Sequence, residues 1–142
     1  MAAHFDENGV HFLYPENWKL EREELEAGWS VSVLSPETAF LTLSFHENSS
    51  DFGRLADSAL EALREDYPDL ESEPRTDTLA GQPAIGHDVR FFSFDLTNTA
   101  WVRTVPCESG SLLVLCQVND LELDRNEPVL RAICASLKID EA

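Results

Sequence analysis

Apolar and polar residues alternate with a period of two along most of this chain, the signature of half-buried strands. Val10, Phe12 and Tyr14 share one face of a predicted strand over 10–14. Trp29, Val31 and Val33 oppose Ser30 and Ser32 in a second strand, and Leu41, Leu43 and Phe45 oppose Thr42 and Ser44 in a third. Turns at 15–18 and 35–37 separate them, and the charged stretch 19–26 reads as an exposed edge strand or loop. The first half therefore closes as hairpins.

The period lengthens to that of a helix in two places. Asp51 ends a run of short polar residues that cap helices, and Phe52, Leu55, Ala59, Leu63 and Tyr67 follow as an apolar stripe. Pro68 stops this helix because it cannot continue the ladder of hydrogen bonds. A second helix is predicted from about residue 126, with Pro128 in its first turn and Val129, Leu130, Ile133, Cys134 and Leu137 on its apolar face. Between the helices, 71–78 is polar and at most an exposed strand. Residues 79–83 turn, 84–95 form a long strand, 96–98 turn, 99–105 return, and 106–110 turn again. Residues 111–118 are apolar on both faces, which marks a central strand covered on both sides. Two amphipathic helices and a doubly buried strand predict an α+β domain with helical cover on both faces of a sheet. Its 142 residues suit one domain, with 1–8 as a flexible lead-in and 140–142 as an acidic tail.

Charge changes the picture of partners. Twenty-seven acids face ten bases, a net charge of −17, and Lys19 and Lys138 are the only lysines. Such a surface repels phosphate backbones and anionic lipids, so neither nucleic acid nor membrane is expected. It keeps a protein soluble and monomeric, and it also suits a basic protein partner. No apolar run approaches the ~20 residues that cross a bilayer. The N-terminus shows no basic segment followed by an apolar one, so a cytoplasmic location is expected. Three widely spaced cysteines, Cys107, Cys116 and Cys134, argue against a disulfide framework.

Candidate chemistry is sparse. His4, His11, His46 and His87 show no helical metal spacing, and strand neighbours such as His46-Glu47 or His87-Asp88 point to opposite faces. No metal or cofactor is therefore implied. A nucleophile at Cys107 or Cys116 beside His87 needs nearby positive charge, and Glu108 supplies the opposite. Asp51-Phe52-Gly53 spells a kinase magnesium motif without the other kinase signatures. No phosphate loop or nucleophile elbow occurs, and no catalytic residue is assigned. Trp29, Trp101 and Arg103 are the candidate binding residues, because aromatics with arginine mark binding hot spots; core packing is the alternative for each tryptophan, as it is for Trp18.

Three short segments carry a family resemblance. Residues 9–18, with Gly9, Tyr14, Pro15 and Trp18, are followed by the turn around Gly81 at 79–84 and by Ser136, Leu137 and Ile139 near the end. Their order and spacing resemble the superfamily of PsbP proteins, DcrB-like proteins and the fungal Ran-binding nuclear import factor. The resemblance implies a three-layer α/β/α sandwich around an antiparallel sheet and members that mostly bind other proteins. The leading expectation is a non-enzymatic protein-binding or adaptor domain. A chaperone cradling apolar helices, as in the similar EagR-type proteins, and a small-ligand binder or enzyme are the alternatives.

Overall fold

The alternation builds two antiparallel sheets, not one. The computed structural model describes residues 2–140. In chain order the elements are β1 (Ala2–Glu7), β2 (Val10–Pro15), β3 (Lys19–Leu25), β4 (Gly28–Leu34), β5 (Phe40–Glu47), α1 (Phe52–Asp66), β6 (Glu71–Leu79), β7 (Gln82–Ser93), β8 (Leu96–Cys107), β9 (Gly110–Asn119), α2 (Leu123–Ser136) and β10 (Lys138–Ile139). The large sheet has the order β3-β4-β5-β9-β8-β7-β6 and the small one β1-β2-β10.

The doubly apolar strand takes the middle of the large sheet, as its sequence predicts. Leu112, Val114, Cys116 and Val118 of β9 join the main core, while Leu115 meets the second core of Leu60, Val89, Phe91 and Ala100. α1 packs on β7, β8 and β9. Asp51 caps it by accepting from the Arg54 N–H at 3.0 Å. Its deepest side chains are Ala56 and Leu60, one step round from the predicted stripe. Ser30, Ser32 and Thr42 stand on the same sheet face, half-buried, and the Ser32 and Thr42 hydroxyls pair at 2.9 Å. Helical cover is thus confined to the apolar half of that face.

The opposite face is covered by α2 together with the small sheet. Phe5 and Phe12 stack at 4.8 Å between centroids, and Phe5 reaches Trp29 at 6.1 Å. This corrects three expectations. Residues 2–7 are no lead-in: Phe5 has a buried place, so the segment pays its ordering entropy and forms β1. β2 does not close a hairpin with β3, because the turn in which the Trp18 N–H donates to the Pro15 carbonyl sends the chain into the other sheet. Asp140, assigned to the acidic tail, is tied down by donating its N–H to the Gly9 carbonyl at 2.8 Å; the rest of that tail lies outside the described residues. Ser136 accepts from the Leu13 N–H at 2.9 Å, which fastens the end of α2 to β2 beyond the short β10 ladder.

α2 begins three residues before its predicted start, so Pro128 lies inside it. The cause is Glu122, 3% exposed. Its carboxylate accepts from the Thr38 hydroxyl and N–H, the Ala39 N–H and the side-chain amides of Asn119 and Asn126. It thereby welds the β4–β5 loop to the start of α2. Burial pushes its carboxyl up, but the hydrogen bonds from Thr38, Asn126 and Ala39 prevail and hold it below the usual range. A lowered folded pKa stabilises the protein above the unfolded value of about 4.3, and the contribution disappears as pH falls through the folded value. Glu122→Gln puts a donor where an acceptor is needed, and urea unfolding at pH 7 should show a loss of roughly 2 kcal/mol. Repeated at decreasing pH, the gap between variant and parent should narrow once pH falls below the unfolded value of about 4.3 and close as it passes through the lower folded value.

Candidate functional site

The three candidate binding residues, Trp29, Trp101 and Arg103, are all buried. Trp101 and Arg103 face α2 from β8 and are buried. Arg103 donates to Asp77 at 3.0 Å, to Asp88 at 2.8 Å and to the Val102 carbonyl at 2.9 Å. Burial lowers the guanidinium pKa, and the hydrogen bonds it donates to Asp88 and Asp77 outweigh it, so the charge is held firmly. The Arg131 guanidinium of α2 sits 4.5 Å above the Trp101 ring. Together these groups join β6, β7, β8 and α2. The Cys116 and Cys134 sulfurs meet at 3.7 Å within the same interface as free thiols. Arginine beside tryptophan on one strand face fits a docking surface and an internal ion pair equally well; only the acids that β6 and β7 supply decide between them.

Trp29 is also buried, and it is among the residues lining a groove of about 660 Å³. Arg22 lies 5.4 Å over its ring and bonds Glu7 and Glu24, each at 2.7 Å. Glu47, Cys107 and Glu108 complete the rim. Burial pushes the Cys107 thiol up, so it is a poor nucleophile. His87 lies elsewhere, against α1, with its Nε2 2.9 Å from Asp57. The sequence-proposed cysteine–histidine pairing is therefore not assembled.

The opposite end of β8 presents a different surface. The β7–β8 hairpin turns at Phe94 and Asp95, not at 96–98, and both residues have positive φ, 53° and 60°. Such a conformation is unusual for a bulky residue. Phe94 is 96% exposed, and Phe92 and Leu121 are each 68% exposed. The Asp120 N–H donates to the Thr97 carbonyl at 2.9 Å, which brings the loop carrying Leu121 beside the hairpin. Behind Phe94 is a recess of about 340 Å³ walled by Tyr67, Phe91 and Leu96. Single exposed apolar residues are ordinary on protein surfaces, and two phenylalanines with a leucine at one end of a sheet make this the candidate contact surface. In the sequence, Phe91, Phe92 and Phe94 read as one continuous strand. The signal that could have singled out the tip is the two-residue turn.

No described helix is long and apolar enough to cross a membrane. At the level of sequence, no family pattern and no curated protein matches the chain. Solved structures do. Cyanobacterial PsbP from Synechocystis is similar with a TM-score of 0.72 at 12% identity, over 98% of this chain and 92% of that one. LpqN of Mycobacterium tuberculosis, involved in cell envelope biogenesis, has a TM-score of 0.57 at 16% identity, over 98% and 89%. A Pseudomonas aeruginosa protein of unknown function, a putative regulator, has 0.53 at 14%, over 92% and 91%. At these identities the likeness is one of fold.

The contrast between interior and tip is measurable. Trp101→Ala and Arg103→Ala should each lower stability in urea by about 3 kcal/mol, through a cavity in one case and, in the other, the loss of the buried cation that joins Asp77 to Asp88, which leaves Asp77 without its ion pair. Phe94→Ala should change it by less than about 0.5 kcal/mol, as an exposed substitution does.

Proposed function

We propose, from a PsbP-like fold, that this chain is a non-enzymatic protein-binding or adaptor domain that docks a basic partner through the tip of its β7–β8 hairpin. The observation that carries the reading is Phe94, almost fully exposed at a turn whose backbone is strained for so large a side chain. Phe92 and Leu121 widen the apolar contact, and Asp95 and Asp120 border it. An apolar centre with a charged rim is the usual anatomy of an interface. The net charge of −17 favours a partner with a complementary basic rim and speeds its encounter. A monomer in the cytoplasm is the setting we assign, in keeping with the odd number of widely spaced cysteines.

The acid-rimmed groove over Trp29 favours a second reading, a binder of a small cationic ligand that displaces Arg22 from the indole face. A chaperone for apolar helices finds less support. Among the described residues the exposed large apolar side chains beyond the hairpin tip are Leu13 on β2 and Leu25 on β3, too few and too far from Phe92, Phe94 and Leu121 in the fold to line a groove for a helix.

Affinity capture compares the intact chain with Phe94→Asp, whose fold is checked by circular dichroism. A basic protein should be retained by the parent at low salt, weaken as salt rises, and bind the variant at least tenfold less well. Retention of nothing, or of the same proteins by both chains, would overturn the docking proposal. Saturable binding of a small cation that Trp29→Leu abolishes would favour the groove instead.

A further inference from the structure

Once residues 2–7 are a strand, they bring together side chains that seem unrelated in the sequence. His4 and Asp6 are two apart on β1 and share its outer face, since Phe5 between them points into the core. The register sets Asp6 opposite His11 of β2. His4 and His11 are diagonal neighbours with their rings stacked at 6.3 Å. One ligand atom from each of His4, Asp6 and His11 lies within 4.8 Å of the other two.

The bonding of His11 gives this cluster its meaning. Its Nδ1 lies 2.9 Å from Asp6 Oδ1, and its Nε2 lies 3.0 Å from Asp140 Oδ2. Asp140 is held in place by its N–H bond to the Gly9 carbonyl. A neutral imidazole has a single N–H. When that proton is on Nε2 and donated to Asp140, the Nδ1 lone pair faces a carboxylate oxygen with the His4 ring alongside. Three electron-pair donors then converge, and one cation satisfies all three. A carboxylate that fixes the tautomer of a ligating histidine from behind is the usual support of a metal-bound imidazole.

We propose that His4, Asp6 and His11 form a binding site for a borderline divalent cation of the zinc type, with Asp140 as the positioning residue that orients His11. Two imidazoles and one carboxylate suit zinc, nickel or copper(II), whereas calcium and magnesium prefer oxygen donors throughout. Zinc draws its ligands to about 2 Å. His4 and Asp6 are exposed and can rotate to close the present spacing. The fourth position opens to solvent. Binding clips β1 onto β2, whose other edge carries β10, and so ties the N-terminal strand to the C-terminal one.

Zinc is titrated calorimetrically into the full chain after chelator treatment. One equivalent should bind, and hydrogen exchange in β1 should slow. His4→Ala lies on an exposed edge-strand face, keeps the fold, and should weaken zinc binding at least tenfold; His11→Ala should do the same. Asp140→Asn should weaken it about tenfold, the effect of losing a carboxylate behind a ligand. Cobalt(II) in place of zinc should give a visible spectrum of nitrogen and oxygen ligation. A near-ultraviolet thiolate band, undiminished binding by His4→Ala, or no uptake at zinc concentrations near ~1 mM would each overturn the proposal. The last result would leave a proton as the only cation that His11 holds between its two carboxylates.

Discussion

β9 carries apolar side chains on both faces, and the rest of the molecule is arranged to cover them. Four side chains on one side, Leu112, Val114, Cys116 and Val118, require a cover as wide as the sheet. α2 alone is too narrow, and the small sheet supplies the remainder through Phe5 and Phe12. The other side needs less. Leu115, Val89 and Phe91 are served by the single helix α1, and the serines and threonine of β4 and β5 need no cover. The unequal layers follow from the unequal distribution of apolar residues on the two faces.

Polar groups are drawn inside where the layers must be joined. Glu122 fastens α2 to the β4–β5 loop, and Arg103 fastens β8 to acids of β6 and β7. Each charge is matched by several hydrogen bonds, the condition under which a buried charge is tolerated. The two ends of β8 differ: an acid-rimmed groove lies at one and an apolar hairpin tip at the other. The interior networks are the frame, and the proposed contacts lie at the ends. The same logic applies to the N-terminal strand. Its inward residue is core, so its outward residues are held at fixed spacing.

The elements were legible because strand and helix each leave a period that one segment displays by itself. Residues 111–118 announced a central strand, Asp51 announced a helix start, and Pro15, Trp18, Gly81 and Ser136 marked joints that the structure bears out in the Pro15–Trp18 turn and the Ser136 bond to Leu13. The Ala80–Gly81 pair turns β6 into β7 with φ of 54° and 77°, a conformation that glycine adopts without strain. The burial of the candidate binding residues was not legible. Trp29, Trp101 and Arg103 have the right chemistry for a surface, and pairing with strands remote in sequence placed them inside.

The sequence by itself determined the period of each segment, the turns, the α+β class and the excess of negative charge, since these are properties of neighbours along the chain. Only the tertiary structure decided that β1 exists, that β2 leaves the main sheet, that Glu122 sets the start of α2, that Phe94 stands clear, and that His4, Asp6, His11 and Asp140 meet. Each depends on groups far apart in sequence, joined by burial and hydrogen bonding, and a local pattern carries no record of which distant strand will provide the partner.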